Sequence, residues 1–229
     1  MQSNIVGFVG AKKDDILLYL AKILSRLGKK VLLVDYTENR ALTYCIKVPY
    51  HEQSFFHLSE QEVDFMIEPQ YEYLFQVQNS YDVILVDFGF QVYSKLIAQC
   101  KILYCCVDTQ LRHMLLIRPL KQFMEQRQEQ CFLIFRKIKG CNVDASYLIN
   151  EVDIQLMSHH IYEYCEDDLY KNSFHVMTIS RELKSCLLFL IRTIQIDISN
   201  PYQNKRFLVC NKESWDGNKT DSLLGNGVL

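Results

Sequence analysis

Residues 5–35 of the chain read IVGFVGAKKDDILLYLAKILSRLGKKVLLVD, in which two short apolar runs flank an amphipathic segment. The first run, residues 5–9, leads into Gly10, and the second, residues 31–34, ends at Asp35. The apolar residues between the two runs recur at helical spacing: Ile16, Leu20, Ile23, Leu24 and Leu27. This order predicts a strand–loop–helix–strand unit whose two strands run parallel in one sheet.

Three further apolar runs follow the same pattern, because each is followed by a charged residue. They are residues 83–86 before Asp87, residues 102–107 before Asp108, and residues 131–135 before Arg136. Continuous apolar strands are typical of a sheet that is covered on both faces. We therefore predict an α/β fold with a doubly wound, mostly parallel sheet and helices on both faces. Ligand sites in such folds lie at the carboxyl ends of the strands.

The other elements are predicted from local signals. Residues 59–67 begin with a capping-box pattern, which predicts a short helix. A longer helix is expected over residues 110–128, broken near Pro119 because proline interrupts the helical hydrogen bonds. A strand at residues 174–177 and a helix over residues 180–196 complete the predicted pattern.

The composition is that of one globular domain. Of the 229 residues, 49% are hydrophobic and 23% are charged, which is enough apolar material for a sizeable core. We expect residues 1–213 to form a single α/β domain and residues 214–229 to form a loose tail. A formal net charge of −2 leaves no excess of cations for the DNA backbone, so a nucleic-acid partner is not expected.

The cysteines and the apolar runs indicate a cellular compartment. The chain has nine cysteines, an odd number, and no C-x-x-C pair, which favours buried thiols in a reducing environment over a disulfide framework. The longest apolar run, residues 186–191, is far shorter than the ~20 residues of a membrane span. Polar residues 216–221 interrupt the tail, which disfavours an amphipathic membrane helix there. We predict a cytoplasmic protein whose contact with membranes, if any, is indirect.

Three segments resemble a known family. They are FVGAKKDD at residues 8–15, GKKVLLVD at residues 28–35 and YDVILVD at residues 81–87. In order and spacing they are similar to the MinD/ParA family of deviant-Walker P-loop ATPases, and the order of elements agrees over most of residues 4–196. The open alternative is a doubly wound domain without P-loop ancestry.

The resemblance implies roles for several positions. Lys13 corresponds to the family's main phosphate-binding lysine, and Gly10 corresponds to the second glycine of the loop. Asp87 corresponds to the Walker B carboxylate, which orients water on Mg²⁺. The candidate nucleotide-binding residues are therefore Gly10, Ala11, Lys12, Lys13, Asp14, Asp15, Asp35 and Asp87.

The chain departs from the family pattern at the positions that carry its chemistry. Phe8 replaces the signature lysine that reaches the partner's nucleotide across a dimer, and Lys12 replaces a glycine that approaches the phosphates. Asp14 replaces the hydroxyl that holds Mg²⁺, and Thr37 replaces a carboxylate that handles the attacking water. No asparagine stands near Arg136, where the family often reads adenine.

Two carboxylates, Asp14 and Asp15, open the first predicted helix. Negative charge at a helix N-terminus is favourable by roughly 0.3–1 kcal/mol, so these side chains occupy the position that a phosphate would use. They would also repel a triphosphate. We expect them to cap the helix and to leave ATP and Mg²⁺ weakly bound or unbound.

These departures predict a catalytically degenerate family member with no catalytic residue and no metal site of its own. It would act as a localisation, scaffold or assembly factor for a cellular or surface machine, with protein partners such as pilus or secretion components. One alternative is a slow ATP-dependent switch in which Lys13 and Asp87 suffice within a dimer. The other is a DNA partition protein, which the net charge and the loss of the signature lysine disfavour.

Phe8 is a candidate contact in a homodimer. A large apolar side chain at the signature-lysine position would make pairing through this face independent of nucleotide. The alternative is that Phe8 packs beneath the loop as part of the core.

Two further groups of residues contain side chains that occur in binding sites. His159 and Glu163 would lie one helical turn apart and could ligate a metal, but a solvated acidic helix face is the favoured interpretation. The basic residues that follow the fourth predicted strand form only a small strip, insufficient for DNA recognition: Arg112, His113, Arg118 and Lys121.

Overall fold

Eight strands form a single sheet in the part of the chain that the computed structural model describes, residues 4–46, 55–58, 62–127, 130–138, 159–164 and 181–194. All of these residues belong to one compact unit, Met1–Ile194. The strands are β1 (Ile5–Gly10), β2 (Val31–Asp35), β3 (Phe55–Leu58), β4 (Val63–Ile67), β5 (Val83–Asp87), β6 (Ile102–Val107), β7 (Cys131–Ile138) and β8 (His159–Tyr164). The α-helices within these ranges are α1 (Asp14–Arg26), α2 (Ala41–Ile46), α3 (Tyr71–Val77), α4 (Leu111–Ile117), α5 (Lys121–Gln126) and α6 (Arg181–Thr193). Short 3₁₀ helices span Gln78–Ser80, Lys95–Gln99 and Arg118–Leu120.

The strand order is β3-β4-β2-β5-β1-β6-β7-β8. The edge strand β3 pairs antiparallel with β4, and the remaining strand pairs are parallel. Since β5 lies between β2 and β1, the carboxyl ends of these three strands are neighbours at one edge of the sheet. The predicted doubly wound, mostly parallel α/β fold is confirmed.

Both faces of the sheet are covered by helices. Successive side chains of a strand point to opposite faces, so each strand packs against both layers. Ile5 and Val9 of β1 belong to one buried cluster with the inward-facing residues of α3, α4 and α5: Leu74, Met114, Ile117 and Met124. Tyr104 of β6 is also buried, and its hydroxyl donates to the carbonyl of Leu190 in α6 at 3.4 Å. Each large apolar side chain buried in this way contributes about 1.5–3 kcal/mol.

The prediction of a helix over residues 59–67 is wrong for its described part. Residues 63–67 form β4, whose residues pair one by one with β2, from Val31–Val63 to Asp35–Ile67. The segment is short and apolar, and such a run fits a buried strand as well as a helix. Hydrogen bonds from β2 on one side and β3 on the other decide in favour of the strand.

The remaining element predictions have mixed outcomes. The break near Pro119 is confirmed, since a 3₁₀ helix separates α4 from α5. The last helix is present as α6 and ends at Thr193. The helix expected around His159 and Glu163 is wrong, because these residues lie in β8, which pairs with β7. The predicted strand at residues 174–177 and the tail at residues 214–229 lie outside the described residues.

Candidate functional site at the carboxyl edge of the sheet

The sheet brings the predicted loop residues and the strand-end carboxylates together. Asp35 at the end of β2 is the register partner of Asp87 at the end of β5, and Asp87 is in turn the partner of Phe8 in β1. Gly10 ends β1 two residues later. The loop between β1 and α1, residues 11–13, therefore starts beside both carboxylates.

Gly10 is required by the close approach of β1 to β6. Its φ is +107°, and a Cβ atom at this position would lie 2.0 Å from the carbonyl oxygen of Cys106. That carbonyl accepts a hydrogen bond from the Ala11 amide at 2.8 Å, and the Gly10 amide donates to the Gly89 carbonyl at 2.6 Å. Two amide groups at the start of the loop are thus already bonded to backbone.

Lys13 is buried at the base of the loop, with 3% of its surface exposed. Its Nζ atom donates to the Gly10 carbonyl at 2.8 Å and lies 2.8 Å from Oδ1 of Asp87. Burial opposes the charge on Lys13, but the Asp87 carboxylate and smaller contributions, among them that of Asp14, together outweigh this effect, and the pKa of Lys13 lies above its usual value. The ammonium group is held in place by side-chain and backbone groups of the chain itself.

Asp87 connects the loop to β5 and to the turn that follows it. Its Oδ1 atom also accepts a hydrogen bond from the Gly89 amide at 2.8 Å. Its Oδ2 atom is buried and accepts no hydrogen bond from the described residues. The carboxylate is therefore fixed through one oxygen.

Asp14 lies beside this pair, in the first turn of α1. Burial, and after it the neighbouring Asp87 carboxylate, raises the pKa of Asp14 to about 6. The Lys13 ammonium lowers it in part. Asp14 thus adds negative charge to a region that already contains the Asp87 carboxylate.

Asp15 forms a buried ion pair with Arg136, and it does not cap α1 in the way expected. Nη1 of Arg136 donates to Oδ1 of Asp15 at 3.0 Å, and Nη2 donates to Oδ2 at 2.9 Å. Nη1 also donates to the carbonyl oxygen of Lys12. The N-cap residue of α1, Lys13, makes no side-chain capping bond. Arg136 follows the fifth predicted apolar run, and no sequence pattern indicates its role in the site.

Asp35 is a buried turn residue. Its Oδ1 atom accepts hydrogen bonds from the Thr37 amide at 3.1 Å and the Thr37 hydroxyl at 2.6 Å. Its Oδ2 atom accepts bonds from the amide and the hydroxyl of Thr43, each at 2.9 Å. These four bonds tie the end of β2 to α2.

The structure places Phe8 in the core, with 0% of its surface exposed. Its ring stacks on Tyr104, with the ring centroids 4.9 Å apart. The packing alternative is therefore the one that the structure favours, and Phe8 offers no surface for a dimer contact in this conformation. The physical reason is its place inside β1, between two neighbouring strands.

The loop lines an open cleft of about 1470 Å³. Four aromatic side chains contribute to its walls: Tyr36, Tyr71, Phe90 and Tyr93. Tyr93 is 85% exposed. His113 also lines the cleft, where its ring packs on Phe90 and its Nδ1 atom lies 2.8 Å from Oδ1 of the buried Asp108. No sequence pattern indicates this aromatic lining, because Tyr36 and Tyr71 are far in the chain from each other and from the segment that contains Phe90 and Tyr93.

One face of α4, which begins at the rim of the cleft, is apolar and exposed. Leu111, Leu115 and Leu116 are 41%, 45% and 48% exposed, whereas Met114 and Ile117 of the same helix are buried. Arg112 and Arg118 accompany these leucines, and α4 contains no acidic residue in its first turn. The basic strip expected from the sequence is thus combined with an apolar surface.

Within the described ranges the structure contains neither a cluster of metal-binding side chains nor a candidate membrane-spanning helix. No group of three or more His, Cys, Asp or Glu side chains there is arranged to hold a metal ion. None of the helices in those ranges has the length and apolar character needed to cross a lipid bilayer.

Solved structures resemble the chain in fold. No protein-family model and no curated protein gives a match. The MinC:MinD cell division protein complex of Aquifex aeolicus matches with a TM-score of 0.61 at 16% identity, covering 83% of this chain and 96% of that one. A ParA family ATPase from Chlorobium tepidum TLS matches with a TM-score of 0.59 at 14% identity, covering 82% and 98%.

A third match has the same character. A putative plasmid partition protein from Borrelia burgdorferi B31, bound to AMPPNP, gives a TM-score of 0.59 at 12% identity and covers 84% of this chain and 99% of that one. At sequence identities this low, the structural matches establish the fold alone. The chain therefore has a MinD/ParA-like P-loop NTPase fold.

Proposed function

We propose that this chain is a MinD/ParA-like protein that does not turn over ATP and acts as a localisation, scaffold or assembly factor by binding a protein partner. The observation that supports this proposal is that the Lys13 ammonium group is bound by other groups of the chain. Its ammonium group contacts the Asp87 carboxylate and the Gly10 carbonyl, both at 2.8 Å. A phosphate would have to replace these contacts at a buried position.

The surrounding residues do not fit Mg²⁺–ATP. Asp14 stands where the family has a metal-binding hydroxyl, and its charge adds to that of Asp87. Asp15, at the next position, is engaged by Arg136. Asp14 thus adds a carboxylate beside the place where the negative phosphates would lie. At an effective dielectric of about 20, two like charges 4 Å apart repel by about 4 kcal/mol.

The cleft and the apolar face of α4 support a protein partner. Exposed aromatic and leucine side chains are typical of binding surfaces, because large exposed apolar patches are rare on monomeric proteins. Tyr93 and Leu116 are the most exposed large apolar residues of this region, at 85% and 48%. The structurally similar MinD occurs in a complex with MinC. A pilus or secretion machine, reached from the cytoplasm, is the proposed setting, and a second copy of the chain is a further proposed partner.

Nucleotide turnover tests the first half of the proposal. The release of phosphate from ATP with Mg²⁺ should be at background for the parent and unchanged in Lys13→Ala. Lys12→Ala is the matched control, since Lys12 is exposed at the same loop. A rate that disappears in a Lys13→Ala protein that is still folded by circular dichroism, but persists in Lys12→Ala, would instead establish the slow ATPase switch, which the retention of Lys13 and Asp87 favours.

Site-directed photo-crosslinking in cells tests the second half. A photoreactive residue at Tyr93 should trap a protein that the same residue at Lys29 does not trap, because Lys29 precedes β2 at the opposite edge of the sheet. Equal crosslinking at both positions would contradict a partner site at the cleft. The partition-protein alternative predicts DNA binding that weakens steeply with salt.

A further inference from the structure

We propose that the outward face of α4 is a docking surface for an acidic amphipathic segment of a partner protein, one that presents large apolar side chains flanked by Asp or Glu. The inference deepens the proposed function and rests on it, because it names the chemistry of the protein partner. The docking surface consists of the exposed residues of α4 and the first residue of the 3₁₀ helix that follows: Leu111, Arg112, Leu115, Leu116 and Arg118.

Helical spacing makes this surface continuous. Residues four apart are neighbours on a helix, so Leu111 lies next to Leu115, and Arg112 lies next to Leu116. Single exposed leucines are common on proteins, but three on two turns of one helix form a patch. The core does not account for them, because other residues of α4 are buried in the cluster shared with β1: Met114 and Ile117.

The charge around these leucines is positive. Residues 110–124 contain Arg112, Arg118 and Lys121, and no Asp or Glu. Lys121 has an acidic neighbour, since its Nζ atom lies 3.9 Å from Oε1 of Glu125. Within the described residues, neither arginine forms an ion pair with an acidic side chain. Because arginine binds carboxylates through two parallel hydrogen bonds, Asp and Glu are the complementary groups for a partner to carry.

The cleft beside α4 favours a protein segment over a lipid surface. Arg112 lines this cleft together with Tyr93, and both are exposed. Tyrosine and arginine are the side chains most enriched in protein–protein contacts. A polypeptide can fill a concavity, whereas a flat bilayer contacts only the convex part of the surface. Basic surfaces that bind anionic lipids also have about four to eight Lys or Arg residues, against the two arginines of this surface.

Two synthetic peptides of about five helical turns test the charge preference. Both repeat leucine at helical spacing, and their other positions are Glu in one peptide and Lys in the other. Fluorescence anisotropy of the labelled peptides measures their binding to the full chain. At about 0.15 M salt, the Glu peptide should bind about tenfold more tightly than the Lys peptide, because that ionic strength still leaves contacts shorter than about 8 Å effective.

Reversing the charge of the surface should reverse this preference. Arg112→Glu/Arg118→Glu should bind the Lys peptide more tightly than the Glu peptide. Arg26→Glu/Arg181→Glu is the matched control, since it changes the net charge equally at exposed residues that do not line the cleft, and it should keep the preference of the parent. A parent without a charge preference, or a preference that survives in Arg112→Glu/Arg118→Glu, would overturn the inference.

The leucines distinguish docking from simple charge attraction and from other occupants. Leu115→Glu/Leu116→Glu, checked for folding by circular dichroism, should bind the Glu peptide about tenfold or more weakly than the parent does. Its molecular mass in light scattering and its cosedimentation with phosphatidylserine-containing vesicles should equal those of the parent. A leucine-dependent mass would indicate a second copy of the chain as the occupant, and leucine-dependent vesicle binding would indicate a lipid surface, so either result would overturn the inference.

The charge preference and the proposed function can fail separately. Loss of the preference would leave both the ATPase result and crosslinking from position 93 unchanged. An ATPase rate that depends on Lys13 would contradict the proposed function and would leave the peptide preference unchanged.

Discussion

Nζ of Lys13 lies 2.8 Å from Oδ1 of Asp87, and this buried pair joins the loop after β1 to the end of β5. The two residues are far apart in the chain and occupy the positions that the family resemblance assigns to nucleotide and metal. In this structure they bind each other. The contact therefore has a structural role whether or not a ligand enters the cleft.

Breaking that pair from one side should be strongly destabilising. Lys13→Met leaves Asp87 without its counter-charge, and Asp87→Leu leaves a buried ammonium, so each change should lower the free energy of unfolding by about 3–5 kcal/mol. The double variant Lys13→Met/Asp87→Leu should recover a large part of this loss. Urea denaturation of the three variants measures the effect, and a double variant that is as unstable as the sum of the singles would contradict it.

Asp14 predicts a pH dependence with a definite sign. Its pKa is about 6 in the folded protein against 3.8 as the ordinary value, so the folded state binds the proton more tightly than the unfolded state. The contribution of proton binding by Asp14 to the free energy of unfolding is therefore fully present below pH 4. It declines as the pH rises from 4 to 6 and is lost above 6. Asp14→Asn removes the dependence.

The expected size follows from the two competing effects. The unfavourable burial of the Asp14 charge is on the order of 1–3 kcal/mol, and the favourable position at a helix N-terminus is about 0.3–1 kcal/mol. Burial should win, so Asp14→Asn should be more stable than the parent at pH 7 and not at pH 4. Glu38→Gln, an exposed change at the same cleft, is the matched control. Denaturation curves at both pH values provide the measurement.

Phe8 should affect stability without affecting association. Phe8→Ala removes a fully buried ring that stacks on Tyr104 and should lower the free energy of unfolding by about 3–5 kcal/mol. Phe8→Leu should lower it by less. The molecular mass of Phe8→Leu in light scattering should equal that of the parent with and without ATP. A change in molecular mass caused by Phe8→Leu would instead indicate that Phe8 lies at a dimer contact.

Leu115 and Leu116 should show the opposite behaviour. Because both are about half exposed on α4, Leu115→Glu/Leu116→Glu should change the free energy of unfolding by only about 0.5 kcal/mol per residue. The same change should abolish crosslinking of a partner from position 93. Met114→Ala on the buried side of α4 is the contrasting variant, expected to lower stability by about 2–5 kcal/mol. Undiminished crosslinking in the double glutamate variant would exclude this face as part of the partner site.

The main strands of the sheet could be predicted from the sequence. Residues 5–9, 31–34, 83–86, 102–107 and 131–135 are all strands in the structure. Burial on both faces requires every residue of such a strand to be apolar, so the pattern is visible without any knowledge of neighbours. The charged residue after each of the last four runs likewise marks the edge where the site lies.

The short segments could not be predicted in the same way. Residues 63–67 and His159–Tyr164 are strands because β2 and β7 supply their hydrogen-bond partners, and neither partner is adjacent in sequence. The local capping pattern and the helical spacing of these segments predict helices instead. Tertiary pairing outweighs such local preferences, which amount to less than about 1 kcal/mol per residue.

The amino-acid sequence alone determined which charged residues the loop and the first turn of α1 contain: Lys12, Lys13, Asp14 and Asp15 are consecutive. Only the tertiary structure decided how they pair. Lys13 binds Asp87 and Asp15 binds Arg136 because the sheet order places β5 on one side of β1 and β7 beyond β6 on the other. Electrostatic attraction acts over a few ångströms of space, not along the chain, so the partner of each buried charge is set by the packing of the strands.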